Sequence, residues 1–171
     1  MQKLKEKTNV LIFGAYSTPK KVGGQKKEIE AEERLKLLKS FLIGKGFVLT
    51  KLVKDWMDEE DVPKDQYDVH FLKKSFHYME NLADVLIFVF FEDCNNNSVC
   101  REWGHMIDSV SSKIGQSIVL REKQVDLGCL LKGDIKTHRI FEAEFSTNDE
   151  LFDVAFSGCI GCLYRLHSNI T

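Results

Sequence analysis

Short runs of uniformly apolar residues alternate along the chain with longer stretches in which apolar residues return every three or four positions. The first run, Asn9-Val-Leu-Ile-Phe-Gly14, is apolar between its ends, as a strand covered on both faces should be. A segment rich in Gly, Ser and Pro follows, from Ala15 to Gln25. Ala31, Leu35, Leu38 and Leu42 then repeat at helical spacing among lysines and glutamates, and Gly44 and Gly46 suit the end of that helix. Phe47 to Val53 reads as a second strand. The acidic segment Asp58 to Pro63 separates it from another helix, with Val69, Leu72, Phe76, Met79 and Ala83 expected on its buried face.

Asp84-Val-Leu-Ile-Phe-Val-Phe-Phe91 is the strongest strand signal, and its unbroken apolar character predicts a central place in a sheet. Three consecutive asparagines lie in the polar turn Glu92 to Asn97. Asn97 or Ser98 is expected to cap the next helix, which buries Val99, Trp103, Met106, Ile107 and Val110. Ser117 to Leu120 predicts a fourth strand. Arg139 to Phe145 alternates polar and apolar residues, which suits an edge strand with one wet face. Leu151 to about Leu166 predicts a closing helix, although Gly158 and Gly161 weaken its signal.

Strand and helix alternate throughout, so the expected fold is a three-layer α/β/α domain spanning residues 1–171 with a five-stranded, mainly parallel sheet. Five strands favour the flavodoxin-like order 2-1-3-4-5. Ligands in such sheets settle at the strand C-terminal ends, where the winding reverses. That point falls between the first and third strands. Gly14, Ala15, Tyr16 and Ser17 should line one side and Glu92 to Glu102 the other. Gly14 would admit a ligand close to the backbone, and the helix starting near Ser98 would turn its N–H groups towards an anion. Glu102 falls at the margin of that helix's buried stripe, able to face the crevice. An ordinary surface glutamate beside Arg101 and His105 is the plainer alternative.

Composition narrows the function classes. The 171 residues are 43% hydrophobic and 29% charged, a globular balance, and the net charge of −2 gives no reason to expect nucleic-acid binding. The charge is uneven: residues 1–54 hold 13 Lys/Arg against 5 Asp/Glu, and the remainder 11 against 21. A lysine-rich solvated helix face accounts for this more simply than an anion-attracting rim. No segment reads as a signal peptide or membrane span, so the five cysteines are expected as reduced thiols in a cytoplasmic protein. Cys159-Ile-Gly-Cys162 lacks the setting of a redox motif and two further zinc ligands, and reads as packed small residues. His105 is expected to face solvent, Arg121 to be a surface arginine rather than a phosphate ligand, and Asp84 to be structural. No phosphate-loop or dinucleotide signature is present, and neither a cofactor nor a metal is expected.

Ala83-Asp84-Val-Leu-Ile-Phe-Val-Phe90, a polar loop, and then Glu102-Trp-Gly104-His-Met106 resemble the nucleoside 2-deoxyribosyltransferase-like group. The opening Val10-Leu-Ile-Phe-Gly14-Ala-Tyr16 is similar to that group's first strand. The likeness covers residues 9 to about 125. It implies that Glu102 is a nucleophile attacking the anomeric carbon of a nucleoside or nucleotide, with Gly14 and Tyr16 near the sugar; Asn97 and Ser98 are expected at the substrate from their place on the crevice side of the same helix start. A carboxylate suits an oxocarbenium-like transition state. The resemblance also allows a homodimer, because related sites are often completed by a neighbouring subunit. Related TIR-like domains cleave NAD on a similar fold, which keeps NAD among the substrates. Two departures matter: Ser98 stands where the group has glycine, and Ser75 stands roughly where it has a further acid. Without that acid the donor for a leaving base is unassigned. The alternatives are a non-catalytic nucleotide-binding or sensing module in the same crevice, and a protein-interaction domain.

Overall fold

Six consecutive apolar residues, Val85–Phe90, are all buried, and the strand they form is the middle of the sheet. The structure, a computed structural model, describes residues 1–16, 26–57 and 66–168. A short helix α1 (Gln2–Lys7) precedes β1 (Asn9–Phe13); α2 (Lys26–Gly44), β2 (Leu49–Leu52), α3 (Lys54–Met57) and α4 (Tyr67–Asn81) follow. The second half contains β3 (Val85–Phe90), α5 (Asn97–Ser109), a 3₁₀ turn (Ser111–Gln116), β4 (Ser117–Glu122), α6 (Gly128–His138), β5 (Phe141–Phe145) and α7 (Asn148–Ser168). The strands lie in the order β2-β1-β3-β4-β5 and every pairing is parallel. This is the flavodoxin-like order that the alternation of elements predicts.

Alternate residues of each strand feed opposite layers. Val10 and Ile12 join Leu35, Leu38 and Leu42 of α2 and Leu151, Ala155 and Cys159 of α7 on one face. Leu11 and Phe13 join Phe71 and Met79 of α4, Val99 and Trp103 of α5, and Leu131 and Ile135 of α6 on the other. Full burial of each leucine in the α2 stripe contributes roughly 1.5–3 kcal/mol. Asp84 ties the sheet together at its N-terminal edge, its Oδ2 accepting Asn9 N at 2.8 Å and Asn9 Nδ2 at 3.1 Å.

Helix α7 runs unbroken through both of its glycines. A side-chain carbon at Gly158 would come within 2.9 Å of Ile118 Cδ1, so the missing side chain lets α7 lie close against β4. Cys159 and Cys162 are fully buried in the same contact, and all five cysteines are free. Among the described residues no group of His, Cys, Asp or Glu could hold a metal ion, and no helix is long and apolar enough to cross a membrane. On β5, Glu142 and Glu144 are exposed and accept hydrogen bonds from Arg121 of β4, as an edge strand with one wet face should allow. Those two glutamates occupy the guanidinium that could otherwise have met a phosphate.

Three expectations need correction. The buried face of α4 is Phe71, Ser75 and Met79, while Val69 is 60% exposed. The helix is thus turned from the predicted stripe, with Leu72 and Phe76 half-buried. Neither Asn97 nor Ser98 caps α5. Its N-cap is Asn96, which makes no side-chain capping bond; Asn95 Oδ1 accepts the Asn97 N–H at 3.1 Å. Asn96 instead closes the loop onto the end of β3, accepting from Phe91 N and donating to Phe91 O and Cys94 O. His105 does not face solvent. Its ring stacks on Phe76 at 3.8 Å and its Nε2 meets Glu80 Oε1 at 2.6 Å, in the seam between α4 and α5.

Candidate functional site

Strands β1 and β3 are neighbours, and the chain leaves their C-terminal ends towards opposite faces: α2 covers one layer and α5 the other. A cavity of about 260 Å³ opens on the α4–α5 side of this reversal, lined by Tyr16, Tyr67, Asp68, Phe71, Leu72, Asn97, Ser98 and Arg101. Its wall is aromatic. The Tyr16 and Phe71 rings meet edge to face at 5.4 Å, and Tyr67 lies 6.2 Å from Phe71. Asp68 and Arg101 are exposed at its rim.

Glu102 sits one turn along α5 from Ser98, on the same side of the helix, and Ser75 sits one turn along α4 from Phe71. Each lies about 6 Å further along its helix axis than the cavity residue that precedes it. Both are fully buried. Neither Glu102 oxygen has a hydrogen-bond partner among the described residues. Burial raises the Glu102 carboxyl to about 8, opposed only by the nearby Ser75 hydroxyl. That hydroxyl already donates to Leu72 O at 3.0 Å, so its opposing influence is small. Among the described residues no cation compensates the carboxyl, and with its pKa near 8 it is mostly neutral at pH 7.

Tyr16 connects the cavity to the buried acid. Its hydroxyl donates to Ile12 O at 2.9 Å. Its pKa stands well above the usual phenol value, first through burial and next through repulsion from Glu102. Tyr16 is therefore a wall and not a ready proton donor. His105, three residues after Glu102, is held by Phe76 and Glu80.

Tyr16, Asn97 and Ser98 line one cavity; Glu102 is not part of its lining and lies one turn along α5 from Ser98. Gly14 is placed differently. It is buried on the α2 side, where a side-chain carbon would meet Leu35 Cδ1 at 2.5 Å. Its lack of a side chain is required by helix packing, and it does not line the cavity. Ser17 and the acidic segment 58–63 lie outside the described residues. The hydropathy of Val69 and Leu72 hides the aromatic wall of α4 from sequence reasoning; the Tyr67–Phe71 spacing of four is the signal that points to it. Cys94 faces a separate, smaller cavity on the α2 side, with Arg34 and Glu122. Burial pushes its thiol up to about 11, so it is not a reactive thiolate.

A buried carboxyl beside an aromatic cavity can act as an acid, as a base or, once ionised, as a nucleophile. No protein-family model matches this chain, and no curated protein matches it.

Proposed function

We propose that the chain acts on the N-glycosidic bond of a nucleoside or nucleotide, as a transferase or hydrolase, with Glu102 as the nucleophile. The observation that carries this reading is the fully buried, unpartnered Glu102 carboxyl one turn along α5 from the lining of an aromatic-walled cavity at the reversal of the sheet. An orphaned polar group costs roughly 1–3 kcal/mol, so retaining one beside a cavity favours a chemical role over a packing one. Tyr16, Tyr67 and Phe71 offer faces for a planar base, and Asn97 and Ser98 offer polar groups for the sugar. Contact with the anomeric carbon requires the wall at Tyr16 and Phe71 to part, because Glu102 has no exposed surface. The reading places the protein in the cytoplasm, where its free cysteines would remain reduced.

The test is chromatographic detection of free base after incubation with nucleosides and nucleotides. Glu102→Gln is expected to abolish release while the circular dichroism spectrum stays that of the wild type; undiminished turnover in that variant would remove the proposal. A binding module without turnover is the second reading. It is favoured by one observation, that no second carboxyl or imidazole stands beside Glu102 among the described residues to protonate a departing base. It predicts thermal stabilisation by a nucleotide with no product formed.

A further inference from the structure

We infer that the edge of the sheet opposite the cavity is a docking face for a bilayer surface rich in anionic phospholipid. The inference stands independently of the N-glycosidic reading.

Topology collects the residues of this face. All five strands are parallel, so every segment that enters a strand lies at one edge of the sheet and the cavity lies at the other. The entering segments are α1 before β1, the turn after α2, the end of α4, the 3₁₀ turn before β4 and the end of α6. Helix α7 starts beyond the far end of β5 and also finishes at this edge, where Tyr164 and Arg165 share a cavity with Ser112 and Gln116 of the 3₁₀ turn. Helix α1 is fastened beside the turn after α2, with Lys5 Nζ donating to Lys45 O at 3.3 Å.

Two properties coincide here. The first is apolar exposure. Ten large apolar side chains are exposed among the described residues, and six of them stand at this edge: Met1, Ile43, Val48, Leu49, Leu82 and Tyr164. Leu49 and Leu82 also line a small apolar groove with Tyr78. Such a concentration at one end of a molecule marks a contact with something other than water. The second is positive charge. Lys3 and Lys7 stand one turn apart on α1, and Lys45, Lys136 and Arg139 follow on neighbouring segments, all exposed. Among the described residues none of these five pairs with a carboxylate. Most acids of the same edge are engaged locally: Glu6 accepts from Gln2, Glu80 meets His105, and Asp84 accepts from Asn9. Asp108 adds one exposed negative charge.

The way the two properties are interleaved selects the partner. A protein is met by a dry apolar centre inside a polar rim. On this edge single aliphatic side chains and one tyrosine are instead spread among the basic residues. Lysine stems lie along acyl chains while their ammonium groups reach lipid phosphates, and tyrosine settles at headgroup level. Basic residues beside a bilayer are drawn to its anionic lipids. Docked by this edge, the protein turns the α4–α5 cavity towards water.

The experiment mixes the full chain with unilamellar vesicles of phosphatidylcholine alone, or of about two parts phosphatidylcholine to one of phosphatidylserine, and reads bound protein by co-sedimentation. Binding to the anionic vesicles is expected to be at least about tenfold tighter and to weaken steadily as salt is raised. Lys3→Glu combined with Lys7→Glu should weaken it by about 20-fold or more. Val48→Ser combined with Leu82→Ser leaves the charge unchanged and should weaken it about tenfold. All four positions are exposed, so the circular dichroism spectrum should stay that of the wild type. Equal binding to the two kinds of vesicle, binding to neither, or anionic binding untouched by either pair of substitutions would overturn the inference. Binding to soluble poly-glutamate as tight as to the vesicles would assign the face to acidic chains and overturn it too. So would lipid-free self-association, in sedimentation velocity, that Val48→Ser with Leu82→Ser abolishes, since the face would then belong to a second copy.

Discussion

A carboxyl group deprived of water and of partners stays folded only by holding its proton. At Glu102 the folded-state pKa is about 8 against an ordinary 4.5. The group is neutral in both folded and unfolded chains at low pH. Above about pH 4.5 the unfolded chain gives up the proton and the folded one does not, so stability falls as pH rises and the loss is complete above about pH 8. At about 1.4 kcal/mol per unit the span is on the order of 4–5 kcal/mol. Urea titrations between pH 4.5 and 8.5 should show this decline in the wild type and a much flatter profile in Glu102→Gln. Glu102→Leu should raise stability at pH 7 by about 2 kcal/mol, which at this chain length is a melting shift of several degrees. A melting point lowered by Glu102→Leu would mean that the carboxyl is a packing element after all. The pH profile of kcat/KM adds the chemical side. A nucleophile must be ionised, so the rate should climb about tenfold per pH unit up to about 8 and then level. A rate that declines through pH 8 would assign Glu102 as an acid.

Between strand and helix, small residues decide how closely layers approach. Gly14 is the clearest case. Leu35 is fully buried, so it has little room to retreat from an added methyl at 2.5 Å. Gly14→Ala should cost roughly 1–3 kcal/mol by overpacking, read from the denaturant midpoint, with ligand binding at the α4–α5 cavity nearly unchanged. A loss of binding with no loss of stability would return Gly14 to the substrate side. At this scale the sequence was legible wherever the apolar pattern had one solution. The stripe Ala31, Leu35, Leu38 and Leu42 is buried throughout, and so is the continuous run of β3. It was misleading at the start and middle of α4, where Val69, Leu72 and Phe76 compete with Phe71 and Ser75 for the buried face, while Met79 and Ala83 are buried as the pattern predicts. The winning face includes a serine, which hydropathy alone does not select. The same rotation brings Ser75 to Glu102 and Tyr67 to the cavity. The part of the site that pattern reading missed is therefore the part that depends on a polar residue being inside.

For the molecule as a whole, order of strands followed from alternation of elements, and the position of the cavity followed from order of strands. What did not follow is how the far side is clamped. Arg34 of α2 donates to Asn148 at the start of α7 at 2.7 Å and to Glu122 at the end of β4 at 2.6 Å. Its guanidinium also lies over the Phe91 and Phe145 rings, at 4.9 and 5.2 Å. Glu122 Oε2 in turn accepts the Glu92 N–H at 2.8 Å, which anchors the loop that leads into α5. These contacts join residues from 30 to 114 positions apart, so no local pattern announces them. Arg34→Leu should cost about 2–3 kcal/mol, leaving Glu122 short of a partner. It should also speed hydrogen exchange in the loop after β3 more than at the distant end of α5; uniform acceleration would argue against a local anchor.

Trp103 follows Glu102 directly in the chain. It is almost wholly buried, edge-on to Phe88 at 5.2 Å, with its indole N–H donating to Asp134 at 3.1 Å. An indole fixed beside an acid that changes charge is a built-in optical reporter. In a Trp56→Phe background its emission should follow a single titration near pH 8 that vanishes in Glu102→Gln, making the proton on this acid visible by fluorescence without any label.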